Sequence, residues 1–399
     1  MAVSAPQCAY SSGLIFVSLE DWDDVWRRNQ PLCAGLARRD PGAPILFVGL
    51  ALDVSHCLRR GKIKALFQAR RRRLPEMPSI TVLKPLKLLP NSLAWGRRFN
   101  EWHQRAQVRR EAARLELARP LLWLNPHQAV HMVGKMGEQA VVYDITDDWI
   151  SPTQSERLRA LTVAQDAELC RRADAVIVCS ARLYEMKQGM TRALHLIPNG
   201  VDAAHYLAAS ADGPLPEAAR AWRKPVFGYT GTIHPDRVDG TLVEALAQAF
   251  PQGTVALVGP NHLSRADITH LEARGNIYFT GPVPYADVPQ YMAAFDVCIT
   301  PHRMTPFTES LNPLKLWEYL ACGKPIVSTN VAGFRDYPQF VRLASDAASF
   351  MDACHAALAE EGASREARQA EARANSWDAR LDSVLDVLNT LPGRAAPQT

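Results

Sequence analysis

Long apolar runs are missing from this 399-residue chain. No window of about 18 residues is apolar throughout, so no membrane-spanning helix is expected. The early stretch LIFVSLE is short and lacks the basic flank of a secretory leader. Paired cysteines are missing too. The eight cysteines (8, 33, 57, 170, 179, 298, 322 and 354) are scattered, with no C-x-x-C and no metal-like cluster. Free, mostly buried thiols in a reducing cytoplasm follow. Strong charge of one sign is absent: the net charge is +4, too small to imply a nucleic-acid partner. Aromatic residues are only thinly interleaved with the basic ones, and no recognition module is visible. No internal repeat is evident.

What the chain does contain is alternation. The composition, 47% hydrophobic and 22% charged, is that of a folded soluble protein, long enough for two domains. Short β-rich runs alternate with helical patterns: GLIFVSL (13–19), PILFVGL (44–50), SITVLKP (79–85), PLLWLN (120–125), AVVYDI (140–145), AVIVCS (175–180) and ALHLIP (193–198). Most read as buried on both faces, the signature of a parallel sheet covered by helices. Residues 203–222, rich in Ala, Pro and Gly, read as a linker. The alternation restarts with PVFGYTG (225–231), GTVALVG (253–259), NIYFTG (276–281), VCITP (297–301) and PIVST (325–329). The expected fold class is α/β: two facing, doubly wound Rossmann-like domains over 1–202 and 223–375. An amphipathic helix at 376–391 and a disordered tail at 392–399 complete the expectation. Ligands of such sheets bind in the crevice beyond the carboxyl ends of the strands, so motifs at those ends carry the function.

The most informative stretch is NPLKLWEYLACGKPIV (312–327). Asn312 suits a helix N-cap and Pro313 the first helical position. Gly323 suits a C-terminal stop. Lys315 and Glu318 fit a plain i,i+3 pair or a ligand site. In YTGTIHPDRVDG (229–240), Gly231 permits close backbone approach at a strand end. His234 and Arg237 lie in the loop before a helix N-terminus, a place that attracts phosphate, and Arg237 can fork onto phosphate oxygens. Gly259 ends the next strand.

Together PNGVD, GYTGTI, VALVGP, FTGPVPYADVPQYMAAFDV and NPLKLWEYLACGKPIV resemble the nucleotide-sugar half of GT-B glycosyltransferases, in particular the large retaining family that includes many capsule and exopolysaccharide enzymes. DWDDVWRRNQPLCAGLA (21–37) and VVYDITDDW (141–149) resemble its teichuronic-acid-type branch. The resemblance implies transfer of a sugar from a nucleoside diphosphate donor to a glycan or lipid-linked acceptor in cell-surface polysaccharide synthesis, with retention, no metal and no cofactor. It places Glu318 on the ribose hydroxyls, which a carboxylate can accept. Arg237 and the helix N-terminus at 313–315 fall on the leaving diphosphate. Gly231, Thr232, His234, Gly259, Ser310, Asn312, Leu314 and Lys315 line the donor, and Arg28, Gln30 and Asp148 the acceptor. Ser310 stands where the family has a first Glu, with Glu309 one place off, and Thr232 stands where it has an Arg. Asp144 or a neighbour replaces a family His. Asp147 or Asp148 then contacts acceptor or sugar, serves as base if the enzyme inverts, or merely caps the next helix.

Two basic stretches remain. LRRGKIKALFQARRRR (58–73) carries Arg59, Arg60, Lys62, Lys64, Arg70, Arg71, Arg72 and Arg73. RRFNEWHQRAQVRR (97–110) follows. Basic amphipathic segments suit an anionic membrane surface, which implies peripheral attachment to the inner face of the plasma membrane. A solvated loop is the plainer reading. Two other functions fit the same fold: a nucleotide-sugar 2-epimerase, which needs no acceptor, and a non-catalytic partner in a polysaccharide-assembly complex.

Overall fold

The structure, a computed structural model, describes residues 10–23, 26–61, 64, 66, 69–91, 94–149, 155–209, 215–305, 308–310, 312–360 and 363–391. The chain divides into two compact units: residues 1–198 with 381–399, and residues 199–380.

The first unit opens with β1 (Leu14–Val17), α1 (Asn29–Arg39), β2 (Ile45–Val48), β3 (Leu52–Asp53) and α2 (Val54–Arg59). Then come β4 (Arg71–Arg73), β5 (Ile80–Leu83), β6 (Leu86–Lys87) and α3 (Ala94–Arg114). It continues with β7 (Leu121–Leu124), β8 (Ala140–Ile145), α4 (Glu156–Arg172), β9 (Ala175–Val178), α5 (Ala181–Lys187) and β10 (Leu194–Leu196). The main sheet runs β10-β9-β8-β7-β1-β2-β5-β4 and is parallel except for the edge strand β4. Strands β1, β2, β5, β7, β8 and β9 are buried at every position, which is why they lack period-two alternation. Ser155 and Ser180 cap α4 and α5 by accepting backbone N–H bonds.

The second unit holds α6 (Ala203–Ala209), β11 (Val226–Thr230), α7 (Gly240–Ala249), β12 (Thr254–Val258), α8 (Arg265–Glu272), β13 (Ile277–Gly281) and α9 (Val288–Ala293). It continues with β14 (Val297–Thr300), α10 (Leu314–Cys322), β15 (Ile326–Thr329), β16 (Val341–Ala344), α11 (Ala347–Leu358) and α12 (Ala363–Ala374). Its all-parallel sheet runs β13-β12-β11-β14-β15-β16. In chain order that is 3-2-1-4-5-6, with the switch point between β11 and β14. The last helix, α13 (Trp377–Asn389), contains the division between the units.

The two-domain α/β expectation holds, and every strand expected from the sequence is present. One expectation is corrected. Residues 203–222 are not a plain linker: 203–209 form α6, Glu217–Ala221 form a 3-10 turn, and Tyr206, Ala219 and Trp222 are buried in the core of the second unit. Their Ala-rich composition suits a helix as well as it suits a linker, and the buried aromatic rings make the difference. The tail at 392–399 lies outside the described residues. Among the described residues no helix is long and apolar enough to cross a membrane, and the described cysteines are free and buried.

Candidate functional site

In the second unit, β11 and β14 pair only at Phe227 with Val297 and Gly228 with Cys298, then part. Tyr319 of α10 fills the gap. Its hydroxyl accepts from the Thr230 N–H at 3.0 Å and donates to the Ile299 carbonyl at 3.3 Å. That insertion holds the crevice open above the switch point and brings the start of α10 to the tips of β11 and β12. No side chain caps α10, so no capping side chain takes its first N–H groups.

The two strand tips are glycines by necessity. Gly231 has φ 118°, and a Cβ there would fall 2.5 Å from the Lys315 Nζ. Gly259 has φ 133°, and its Cβ would fall 2.4 Å from the Gly231 carbonyl oxygen. Lys315 therefore lays its ammonium on the tip of β11, 5.1 Å above the Tyr229 ring. The sequence leaves Lys315 open between a pair with Glu318 and a ligand site; in the structure it lies over Tyr229 while its charge still acts on the Glu318 carboxyl. The Tyr229 hydroxyl donates to the Thr232 carbonyl at 3.1 Å and sits 3.2 Å from His302 Nε2, which must then be the protonated nitrogen. Burial first, then Lys315 and Arg237, hold His302 well below the usual imidazole range. His302 is thus neutral, and the positive charge at this spot belongs to Lys315 and Arg237. Arg237 lies in the loop between β11 and α7, where its carbonyl accepts from the Arg303 N–H at 2.6 Å. His234 turns within that loop, its Nδ1 accepting from the Asp236 N–H at 3.2 Å.

Glu318 lies one turn further along α10. It is hydrogen-bonded to the Tyr206 hydroxyl, with Lys315 and His205 nearby, and burial pushes its carboxyl up against their pull. His205 stacks on Tyr285 at 4.6 Å. Asn312 does not cap α10; Pro313 occupies the cap position. The Asn312 side-chain oxygen instead accepts from the Asn199 N–H at 3.0 Å, and its carbonyl accepts from Asn199 Nδ2 at 2.8 Å, tying the PNGVD loop to α10. Leu314 opens α10, half-buried. Ser310 ends a 3-10 turn, Thr308–Ser310. Glu309 is ion-paired with Arg335 at 2.8 Å.

In the first unit the switch point lies between β1 and β7, and a polar network lies beyond it. The Asn29 amide donates to Ser18 Oγ at 3.0 Å, to Asn125 Oδ1 at 3.0 Å and to Glu20 Oε2 at 3.4 Å. Asn125 in turn donates to the Asp144 carbonyl at 2.7 Å. Burial pushes the Glu20 carboxyl up to about 7, with Arg27 opposing and Asp23 and Asp147 adding to the rise. Asp147 and Asp148 follow β8, both half-buried. Asp144 is fully buried, and the Arg28 guanidinium forks onto it at 2.9–3.1 Å while also reaching the Pro198 carbonyl at 3.3 Å. Gln30 donates to the Asp21 carbonyl at 3.0 Å. Arg28 and Asp144, assigned separately to acceptor and chemistry, are therefore partners of one another.

The sequence did not single out Tyr229, Tyr319, His302, Glu20, Asn29 or Asn125. The one available signal for Glu20 was its position as the first charge after a fully apolar strand.

The basic stretch at 58–73 is less uniform than its sequence. Arg59, Arg60, Lys64 and Arg70–Arg73 are exposed, and Lys62 lies outside the described residues. Arg71–Arg73 are the edge strand β4, where charge protects an open edge. Their side chains are already engaged: Arg71 by Glu111, Arg72 by the Trp22 carbonyl, and Arg73 by the Pro78 carbonyl at 2.5 Å. Arg70 reaches Gln107 at 3.3 Å.

Residues 224–360 match the family model "Glycosyl transferases group 1". A Bacillus subtilis protein named as the teichuronic acid biosynthesis glycosyltransferase TuaH is 27% identical over 263 residues, which is 61% of this chain and 66% of that protein, just under two thirds of its length. Among solved structures, HepE of Anabaena in complex with UDP is 20% identical with a TM-score of 0.68, covering 95% of this chain and 100% of that one. Sucrose-phosphate synthase from Thermosynechococcus elongatus is 18% identical with a TM-score of 0.67, covering 95% and 98%. An E. coli trehalose-6-phosphate structure bound with UDP-2-fluoro glucose is 13% identical with a TM-score of 0.67, covering 96% and 100%.

Proposed function

We propose that this chain, which carries a group 1 glycosyltransferase domain in its second unit and has the GT-B fold, transfers a glycosyl group from a nucleoside diphosphate sugar to a glycan or lipid-linked acceptor in cell-surface polysaccharide synthesis. One observation carries the reading. Two cations, Lys315 and Arg237, converge on neutral His302 at the switch point of the second sheet, beside the uncapped start of α10. We read this as a site for a diphosphate. When the bond from the anomeric carbon to the phosphate oxygen breaks, its electron pair goes to the diphosphate. Fixed cations stabilise that charge without reorganisation. Gly231, Thr232, His234, Gly259 and Leu314 would line the phosphates and sugar, and Glu318 would take the ribose hydroxyls by exchanging its Tyr206 partner. We propose metal independence on the same grounds, since the two cations already supply the charge a metal would bring, and retention only on the resemblance to the retaining family. UDP is the first nucleotide to test, because similar structures hold UDP or UDP-glucose.

Within the first unit, Glu20, Asp147 and Asp148 are proposed to meet the acceptor, with Arg28 and Asp144 positioning the end of β8; Gln30, expected from the sequence to touch the acceptor, is fully buried and instead holds the loop at Asp21 and Arg27. We extend the proposal to peripheral contact with an anionic cytoplasmic membrane face. Trp95, Phe99 and Trp102 support it: they are 62%, 37% and 56% exposed, lie on one face of α3, and have exposed Arg98, Arg109 and Arg110 beside them. The test is a thermal-shift panel of nucleoside diphosphates and their sugars, with and without magnesium, followed by transfer to lipid-linked acceptors. A selective, magnesium-independent shift is expected. No shift with any nucleotide would overturn the reading.

A further inference from the structure

The start of α6 brings two side chains to Glu318. The Asp202 carboxylate accepts from the His205 N–H at 3.1 Å and fixes the first turn of the helix. His205 then stacks on Tyr285, with ring centres 4.6 Å apart and its Nε2 3.2 Å from the Tyr285 carbonyl oxygen. Tyr206 meets the same Tyr285 ring edge-on, with centres 6.3 Å apart. The Tyr206 side chain is sealed in, at 1% exposure, whereas Glu318 is half-buried and keeps surface that a ligand can reach.

The Tyr206 hydroxyl is hydrogen-bonded to both Glu318 and Tyr285. A hydroxyl has one proton to donate and two lone pairs, and an ionised carboxylate can only accept. The Tyr206 proton therefore goes to Glu318, and the Tyr285 hydroxyl donates to the Tyr206 oxygen. A second arrangement is open to the same three groups. If another donor takes Glu318, the Tyr206 O–H can turn onto the Tyr285 oxygen, so no buried polar group is left unmatched.

The surrounding charges set how firmly Glu318 stays ionised. Burial raises its carboxyl, and Lys315 on its own helix, then Tyr206 and His205 from α6, pull it back. Tyr285 comes from the 3-10 turn before α9, and burial first, then Glu318 and Asp202, push its hydroxyl up. Cys322, one turn further along α10, is a thiol pushed well up by burial, Cys298 and Glu318. From α12, Arg365 and Arg368 lie at the C-terminal end of α10, against Gly323.

We propose that Tyr206 and Tyr285 are positioning residues that act through Glu318: Tyr206 holds the carboxylate while the site is empty, and passes its hydrogen bond to Tyr285 when a pair of ribose hydroxyls takes its place. This rests on the reading of Glu318 as the ribose-binding carboxylate. A ribose supplies the two donors needed, and a sugar lacking them leaves Tyr206 where it is, so the exchange favours ribonucleotides.

The test compares UDP with 2′,3′-dideoxy-UDP, which lacks only the two ribose hydroxyls, by calorimetric titration of the full chain between pH 6 and pH 9. Base and diphosphate contacts cancel in the ratio of affinities. The wild-type chain is expected to prefer UDP by about tenfold or more at pH 9. That preference should shrink as pH falls, because a protonated carboxyl accepts less well. Tyr285→Phe removes the second partner and leaves a displaced Tyr206 hydroxyl unmatched, so the preference should drop about fivefold or more. Adding Tyr206→Phe removes that hydroxyl, and the preference at pH 9 should return to within about twofold of wild type. Tyr206→Phe alone should move the fall in preference to higher pH, since burial then acts on Glu318 without the opposing hydrogen bond. A carbon-13 titration of the nucleotide-free chain should show the Glu318 carboxyl ionising at correspondingly higher pH. A Tyr285→Phe preference within about twofold of wild type, no recovery in the double variant, or a Glu318 titration unmoved by Tyr206→Phe would each overturn the exchange. Equal binding of the two nucleotides by the wild-type chain at every pH would instead remove the ribose reading, and the exchange with it.

Discussion

Replacing Lys315 by Met keeps the length and most of the apolar stem of the side chain and removes only its charge. In the folded protein that charge does three things. It lies over the Tyr229 ring, it fills the space a Cβ at Gly231 would need, and it helps hold His302 neutral. A charge-assisted hydrogen bond to a phosphate is worth about 1.5–3 kcal/mol, so nucleoside diphosphate affinity should fall about 10- to 150-fold. Stability should change little, because the cation–π contact contributes only about 0.5–1 kcal/mol at a half-exposed site. The His302 pKa should rise, since one of the cations depressing it is gone. Calorimetric titration with UDP at two salt concentrations reads the first effect, and the wild-type affinity should show the steeper salt dependence. An imidazole NMR titration reads the last. If the Lys315→Met affinity stays within about twofold of wild type while the protein melts normally, Lys315 does not touch the diphosphate, and the site drawn at the switch point is wrong.

Other consequences are equally direct. Tyr319→Phe removes the acceptor of the Thr230 N–H and leaves it buried, which should cost about 1–3 kcal/mol in urea unfolding; a loss under about 0.5 kcal/mol would mean the gap between β11 and β14 closes by itself. Arg28→Met strands the buried Asp144 carboxylate and should destabilise by about 3–5 kcal/mol, with Asp144→Asn in the same chain restoring part of it; no restoration would deny the pairing. Glu20 titrates higher folded than unfolded, so its contribution is full at low pH and is lost as pH rises from the ordinary carboxylate range through about 7. Glu20→Gln should therefore flatten the fall in melting temperature between pH 5 and pH 8, and an unchanged profile would contradict the raised carboxyl. Glu318→Ala should weaken nucleotide binding with the fold intact, and unchanged affinity would leave Glu318 as a support for Tyr206 alone.

Much of this protein was decided locally. The strands are short, apolar throughout and bounded by glycine, proline or asparagine, and such runs have few alternatives to a covered parallel sheet. The glycines at 231, 259 and 323 mark places where the backbone takes positive φ, and neighbouring residues could reveal that without any tertiary information. What only the tertiary structure decided was partnership. Asn312 looks like a cap and instead holds Asn199. Asp144 looks like a catalytic carboxylate and is held by Arg28, which lies more than a hundred residues earlier. The arginines at 71–73 look like a free basic patch and form a paired strand edge. A side chain's chemistry is written in its own residue, but whether that chemistry remains available depends on which distant group reaches it first, and that is settled only when the sheet order brings the strand ends together.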